Sequence, residues 1–86
     1  MRPYNKKLST EIKRSLAKVL EDQRTKRGIS KKELAEKSGL HRNEISYLER
    51  GKRVPTLETV IKIADGLDME ANEFMNEFFK IFEMDS

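Results

Sequence analysis

The side chains best suited to specific chemistry lie close together, between residues 42 and 47. Ile45 and Leu48 are spaced three apart, which predicts that they share the buried face of a short helix. The polar residues around them then face outward, and they are Arg42, Asn43, Ser46 and Tyr47. Arginine can donate two hydrogen bonds to guanine, and asparagine can pair with adenine through two bonds. The pattern therefore predicts a helix that reads base edges in a DNA major groove.

A preceding helix must position this segment, and both of its ends are marked in the sequence. Ser30 and Glu33 are spaced as a reciprocal capping box, which predicts that a helix begins just after Ser30. Gly39 accepts the left-handed backbone of a helix C-terminus and predicts its end. Ala35 is small enough for the next helix, over about residues 42–49, to cross closely at the steep angle of a helix-turn-helix.

The stretch from Ser30 to Gly51 resembles the helix-turn-helix of the Cro and phage-repressor class of transcription regulators, the XRE-like family. The matching positions are Leu34, Ala35, Gly39, Leu40, Ile45 and Leu48, followed by the run Leu48-Glu49-Arg50-Gly51-Lys52 and by Pro55-Thr56-Leu57. The resemblance covers about residues 16–75. It implies a compact five-helix, all-α bundle of the lambda-repressor type that binds double-stranded DNA sequence-specifically. Two positions depart from the family pattern: Ser38 replaces an apolar residue, and His41 replaces the usual Ser or Thr cap.

Composition agrees with an all-α fold and bounds the function. The chain has 86 residues, four glycines, two prolines and no cysteine, which predicts one small helical domain without disulfides or thiolate metal ligands. A single histidine, no glycine-rich phosphate loop and no clustered metal ligands argue against an enzyme and against any cofactor or metal. No apolar run approaches the roughly 20 residues of a membrane span, and no signal-like segment begins the chain. We therefore expect a soluble, cytoplasmic, nucleoid-associated protein.

Charge is divided unevenly along the chain, although the net value is only +3. Residues 1–53 contain 16 Lys and Arg against 7 Asp and Glu, a formal charge of +9. Residues 54–86 contain 2 against 8, a formal charge of −6. A basic front half and an acidic back half predict that the front half meets a polyanion.

The front half divides into an arm and a first helix. Residues 1–9 are predicted to form a flexible basic arm, and residues 10–69 the DNA-binding domain, with its helix-turn-helix over about 30–50. Thr10 is expected to cap a helix that runs to about Arg27. Its buried stripe is predicted to be Ile12, Leu16, Val19, Leu20 and Gln23.

Further roles follow from the resemblance and from helix electrostatics. By resemblance, Arg24 pairs with Glu49 and ties the first helix to the end of the reading helix. The N-terminus of the second helix suits an anion, so Ser30 and Lys31 are expected to contact a phosphate. The other predicted phosphate contacts are Lys32, Arg50, Lys52 and Arg53. Tyr47 has an alternative to base reading, which is packing beside the loop before the fourth helix.

The fourth helix is predicted to bury Leu57, Val60, Ile61 and Ala64 and to end at Gly66. Residues 70–86 are predicted to form a C-terminal helix that completes the core through Phe74 and also dimerises. Its remaining apolar residues exceed what a small core needs, and the predicted dimer interface is Met75, Phe78, Phe79, Ile81 and Phe82. The alternative is that this helix folds back and buries all of them within one chain.

A homodimer would present two reading helices about 34 Å apart to a palindromic operator. The expected function is therefore that of a small repressor, or of an autoregulator like the controllers of restriction–modification systems. Two alternatives stay open at this stage. The chain could be the antitoxin of a toxin–antitoxin pair, or a protein-interaction module that uses the C-terminal helix.

Overall fold

The structure, a computed structural model, describes residues 6–84. Within these residues it contains five helices and no strand, so the predicted all-α, five-helix architecture is confirmed. The helices are α1 (Lys6–Lys26), α2 (Lys31–Ser38), α3 (Arg42–Glu49), α4 (Leu57–Gly66) and α5 (Ala71–Met84). The helix α1 packs against α3 and α5, while α2 packs against α3 and α4, and α4 also contacts α5. One core therefore lies between all five helices.

The core is apolar, and the helix periodicity explains most of its members. They are Leu16, Val19, Leu20, Leu34, Ala35, Ile45, Leu48, Val60, Ile63, Ala64, Leu67, Phe74 and Phe78. The predicted stripe of α1 is confirmed, with Gln23 buried at its end and Ile12 partly buried at its start. Burying one large aliphatic or aromatic side chain contributes about 1.5–3 kcal/mol, so this cluster supplies most of the driving force for folding.

The helix α1 begins earlier than the sequence suggested. It starts at Lys6, four residues before the expected cap at Thr10. The predicted flexible arm over residues 1–9 is therefore wrong for residues 6–9, and residues 1–5 lie outside the described residues. Leu8 gives the physical reason, because it is half-buried and precedes Ile12 by one helical turn. It extends the apolar stripe and favours continued helix.

In α4 the predicted buried set is partly wrong. Leu57 is 74% exposed and Ile61 is 49% exposed, whereas Val60 and Ala64 are buried as expected. The core face of α4 is completed instead by Ile63, and Leu67 just beyond the helix is buried as well. The apolar residues of α4 form a wide arc, of which only the part around Val60, Ile63 and Ala64 is buried, so periodicity alone did not identify the edge that stays exposed.

Gly66 also has a different role from the one predicted. It is the last residue of α4 and lies against α2: a Cβ added there would stand 2.9 Å from the Cβ of Ser38 and 3.0 Å from Cδ1 of Leu34. This contact explains why Ser38 stands where the family usually has an apolar residue, because a small side chain at that position lets α2 and α4 approach closely.

The end of α4 is made by a residue other than glycine. Asp68 adopts the left-handed conformation, with φ of 58°, and its N–H donates to the carbonyl of Asp65 at 3.0 Å. The N–H of Met69 donates to the carbonyl of Ala64 at 2.9 Å, which completes a Schellman motif. Aspartate is one of the few non-glycine residues that adopt this conformation readily.

Candidate nucleic-acid interface

The helix α2 is held at both ends as the sequence predicted. The N–H of Glu33 donates to Oγ of Ser30 at 3.0 Å, and the N–H of Ser30 donates to Oε1 of Glu33 at 3.1 Å. At the other end Gly39 adopts a φ of 74°. These bonds fix the direction in which the chain enters α3.

The reading helix α3 begins with an unusual cap. Nδ1 of His41 accepts the N–H of Asn43 at 3.1 Å, and the N–H of His41 donates to Oε1 of Glu44 at 3.3 Å. The imidazole therefore caps the helix in place of the Ser or Thr that the family usually has at this position.

The outward residues of α3 lie where the sequence placed them. Arg42 and Asn43 are exposed on the first turn, Ser46 is half-buried and Tyr47 is 38% exposed. Ile45 and Leu48 are buried on the opposite face. No hydrogen bond or ion pair among residues 6–84 uses the side chains of Arg42 or Asn43. Their donors and acceptors are directed to the surface and are available to a ligand.

At its C-terminus α3 ends in a tight reversal. Gly51 adopts a φ of 68°, and its N–H donates to the carbonyl of Leu48 at 3.1 Å. The N–H of Lys52 donates to the carbonyl of Tyr47 at 3.0 Å. The two bonds form a Schellman motif, whose left-handed residue is least strained when it lacks a Cβ. The loop that follows turns back along the helix as a result.

A buried ion pair ties α1 to this end of α3, as predicted. Nε of Arg24 donates to Oε2 of Glu49 at 2.6 Å and Nη2 donates to Oε1 at 3.0 Å, so the contact is bidentate. The Glu49 side chain is 2% exposed and the Arg24 side chain 13%. Nη1 of Arg24 also donates to the carbonyl of Ile29 at 2.9 Å. The hydrogen bond to Glu49 raises the pKa of Arg24, against the opposing effect of burial.

The predicted phosphate contacts differ in how accessible they are. Lys32, Arg50, Lys52 and Arg53 are exposed, and Lys31 is half-buried. Ser30 is less available than expected, because its hydroxyl and its N–H are both bonded to Glu33. The backbone N–H groups of Lys31 and Lys32 have no acceptor within the helix at this end of α2, because helix geometry leaves the first N–H groups unpaired.

Two basic residues of α1 belong to the same surface and were not predicted. A groove between α1 and the end of α3 is lined by Lys13 and Arg14 together with Arg50 and Gly51. A signal for them was present, since Lys13 precedes Arg24 by eleven residues, or three helical turns. The pairing of Arg24 with the end of α3 therefore places Lys13 beside that end as well.

The predicted dimer residues on α5 are distributed between the core and the surface. Phe78 is only 5% exposed and stacks on Phe82, with ring centroids 5.5 Å apart, so it has almost no surface left for a partner. Phe79 is 44% exposed, while Met75, Ile81 and Phe82 are partly buried against the core. Phe79 thus offers the most accessible aromatic surface of the predicted set.

Residues 6–84 contain neither a metal-binding cluster nor a membrane-spanning helix. No group of three or more His, Cys, Asp or Glu side chains there could hold a metal ion. In the same range, none of the helices is long and apolar enough to cross a membrane.

The five-helix fold and a capped third helix with outward Arg and Asn define a helix-turn-helix DNA-binding protein. The sequence model of the helix-turn-helix family matches residues 20–74, more than half of the chain. The chain belongs to this family, in its XRE-like branch of transcription regulators. The predicted class, a DNA-binding transcription regulator, is confirmed at this level.

Control proteins are among the relatives that the chain resembles. It is 41% identical over 58 residues to the control protein C.SmaI of Serratia marcescens, an alignment covering 67% of this chain and 69% of that one. The fold superposes with a TM-score of 0.78 and 28% identity on the restriction–modification controller C.Esp1396I, solved as a tetramer with its natural 35 base-pair operator. That match covers 84% of this chain and 95% of the other. For the controller C.AhdI of Aeromonas hydrophila the TM-score is 0.68 at 35% identity, covering 72% and 94%.

Proposed function

We propose that this chain is a homodimeric regulator that binds a palindromic DNA operator and reads it with Arg42 and Asn43 at the start of α3. The observation that carries the proposal is the state of these two side chains. Both are exposed, neither is used in a bond within the described residues, and the helix that holds them is capped at both ends. Preorganised donors of this kind can discriminate a base by about 1–3 kcal/mol for each bidentate pair. Ser46, half-buried beside them, is a secondary reader.

The charge distribution supports the same surface as the DNA contact. The six predicted phosphate contacts and the reading residues all lie in the half of the chain whose formal charge is +9. Lys13 and Arg14 extend this surface along α1. Cations around the reading helix supply sequence-independent affinity, while Arg42 and Asn43 supply the preference.

The apolar residues left on the surface support a dimer. Phe79 is exposed on α5, and on α4 Leu57 and Ile61 are both exposed and lie one turn apart on one face. A pair of large apolar residues exposed on one helix face suits an isologous contact. Met75, Ile81 and Phe82 are half-buried and would contribute the surface that the core leaves uncovered.

The regulatory role that we propose is that of a small controller like those of restriction–modification systems. The support is the likeness to C.SmaI and to the operator-bound controller C.Esp1396I. On this proposal the protein is not an enzyme, requires no cofactor, and works in the cytoplasm where the DNA is. An antitoxin, or an interaction module that uses α5, would bind another protein instead, and its affinity for that partner would not depend on Arg42 or Asn43.

Selection of bound sequences from a random pool of duplexes tests the proposal. The wild-type protein should enrich a palindrome whose half-sites are about one helical turn apart. Asn43→Ala should flatten the preference at one position of each half-site. The matched controls Lys31→Ala and Arg53→Ala should weaken all duplexes alike and lower the salt slope of log Kobs by about one.

Two outcomes would contradict the proposal. The first is enrichment of no sequence by a protein whose dimeric state is verified by sedimentation. The second is identical behaviour of Asn43→Ala and Arg53→Ala, because the reading and anchoring roles would then not be separate.

A further inference from the structure

Tyr47 is surrounded by cations. The guanidinium carbon of Arg53 lies 5.0 Å from the centroid of its ring, and that of Arg50 lies 5.6 Å from it. Both distances fall within the range of a cation–π contact, which is about 6 Å. The ring that the sequence offered as a base reader is thus already engaged by two of the predicted phosphate contacts.

The backbone explains why two arginines reach one ring. Arg50 follows Tyr47 by three residues and lies over it as helix geometry requires. Arg53 reaches the ring only because the chain reverses at Gly51, where the N–H of Lys52 donates back to the Tyr47 carbonyl at 3.0 Å. The cluster is therefore built by the local fold.

The chemistry of the cluster favours an anion. Among residues 6–84 neither Arg50 nor Arg53 takes part in an ion pair, so no carboxylate neutralises them. An aromatic ring orients a guanidinium without using its N–H donors, whereas a carboxylate partner would occupy them. Two cations held beside one ring repel each other, and an anion that both contact would relieve the repulsion.

We infer that Tyr47, Arg50 and Arg53 form a clamp for the DNA backbone, in which Tyr47 is a positioning residue for the two arginines and does not read a base. This inference rests on the proposed function for its ligand, a phosphate of duplex DNA. It divides α3 into two parts: the first turn reads sequence, and the end of the helix with its loop anchors the backbone. The ring of Tyr47 is the functional part of that side chain, and its hydroxyl is dispensable.

Two substitutions at one position separate the ring from the hydroxyl. Tyr47→Phe should bind operator and unrelated duplex as the wild type does. Tyr47→Leu should weaken both by the same factor, roughly five- to tenfold, because two cation–π contacts are lost. A base reader would behave differently, since Tyr47→Phe would then lose operator affinity while affinity for unrelated duplex stayed unchanged.

A double-mutant cycle tests whether Tyr47 acts on DNA affinity through the two arginines, which a purely structural role of the ring would not require. The double variant Arg50→Gln/Arg53→Gln should lower the salt slope of log Kobs by about two. Adding Tyr47→Leu to that variant should change affinity less than twofold, because nothing remains for the ring to position. A five- to tenfold loss that persists in this background would overturn the inference, as would a melting temperature of Tyr47→Leu low enough to account for the loss.

A DNA-free measurement distinguishes failure of the clamp from failure of the proposed function. In the wild type, NMR signals of the Arg50 and Arg53 side chains should show ring-current shifts that disappear in Tyr47→Leu. Their absence would overturn the clamp whatever the protein binds. If the shifts are present and the protein ignores every duplex offered, the proposed function is wrong, and so is the assignment of DNA phosphate as the ligand of the cluster.

Discussion

The reading helix α3 and the terminal helix α5 are both amphipathic, but they are held in different ways and expose opposite kinds of surface. Directional bonds fix α3 at both ends, through His41 at its start and through Glu49 and Gly51 at its end. The helix α5 is held mainly by aromatic packing, with Phe78 stacked on Phe82, and it leaves Phe79 partly exposed. Polar contacts at both ends of α3 add to the burial of Ile45 and Leu48 in fixing that helix, while the apolar contacts of α5 leave surplus surface for a partner.

The difference has a chemical origin. A hydrogen bond or ion pair requires a given residue type at a given spacing, so one substitution removes it and no neighbour replaces it. Apolar contacts are non-directional, and adjacent phenylalanines can exchange roles between core and surface with little change in pattern. The two helices should therefore respond differently to single substitutions, and the following variants test this from the largest expected effect to the smallest.

Among the variants that affect α3, Arg24→Ala should cause the largest loss of folding stability. It leaves the Glu49 carboxylate, 2% exposed, buried without its partner, which costs about 3–5 kcal/mol and lowers Tm by more than roughly 12 °C. The matched control is Asp22→Ala on the same helix. It breaks the exposed pair between Lys18 and Asp22, which is worth less than about 1 kcal/mol. Equal melting temperatures for the two variants would show that the pair does not hold α3.

On α5, two neighbouring phenylalanines should behave as opposites. Phe78→Ala removes a core ring that is 5% exposed and should cost about 3–5 kcal/mol. Phe79→Ala removes a ring that is 44% exposed, so dilute protein should lose only about 1 kcal/mol while the dimer dissociates more readily. Denaturant unfolding and sedimentation of both variants check this. A dimer constant unchanged in Phe79→Ala would remove that residue from the interface.

Gly66→Ala tests the close contact between α2 and α4. The new Cβ would stand 2.9 Å from the Cβ of Ser38, and neither atom belongs to a flexible chain end. Overpacking of this kind costs about 1–3 kcal/mol, which exceeds the gain of up to about 1 kcal/mol from replacing glycine in a helix. Adding Ser38→Gly should recover part of the loss in a thermal unfolding cycle. A more stable Gly66→Ala variant would show that the helices separate at little cost.

His41→Ala should have a smaller effect on stability than Arg24→Ala or Phe78→Ala. It removes the acceptor for the N–H of Asn43, and loss of an N-cap costs about 0.5–2 kcal/mol. His41→Ser is the control, because a hydroxyl can accept the same bond and should restore the melting temperature. If His41→Ala melts at the wild-type temperature, the imidazole cap does not contribute to the stability of α3.

Most features of α2 and α3 could be predicted from the sequence, because they depend on local spacing. The capping box of Ser30 and Glu33 and the outward position of Arg42 and Asn43 each require residues within one or two turns of each other. The Arg24–Glu49 pair lies 25 residues apart, and family resemblance supplied it where spacing could not. The engagement of Tyr47 by Arg53 escaped prediction, since it depends on the path of the chain beyond Gly51.

What the sequence alone determined is the class of fold, the ends of α2 and α3, and the face of α3 that points outward. These follow from helical periodicity and from side chains that bond to nearby backbone. Only the tertiary structure decided which apolar residues are inside: Leu57 and Ile61 lie outside, Phe78 lies inside, and Gly66 serves packing against Ser38. Burial depends on which helices meet and how closely, and a wide apolar arc on a helix does not specify which part of it will be covered.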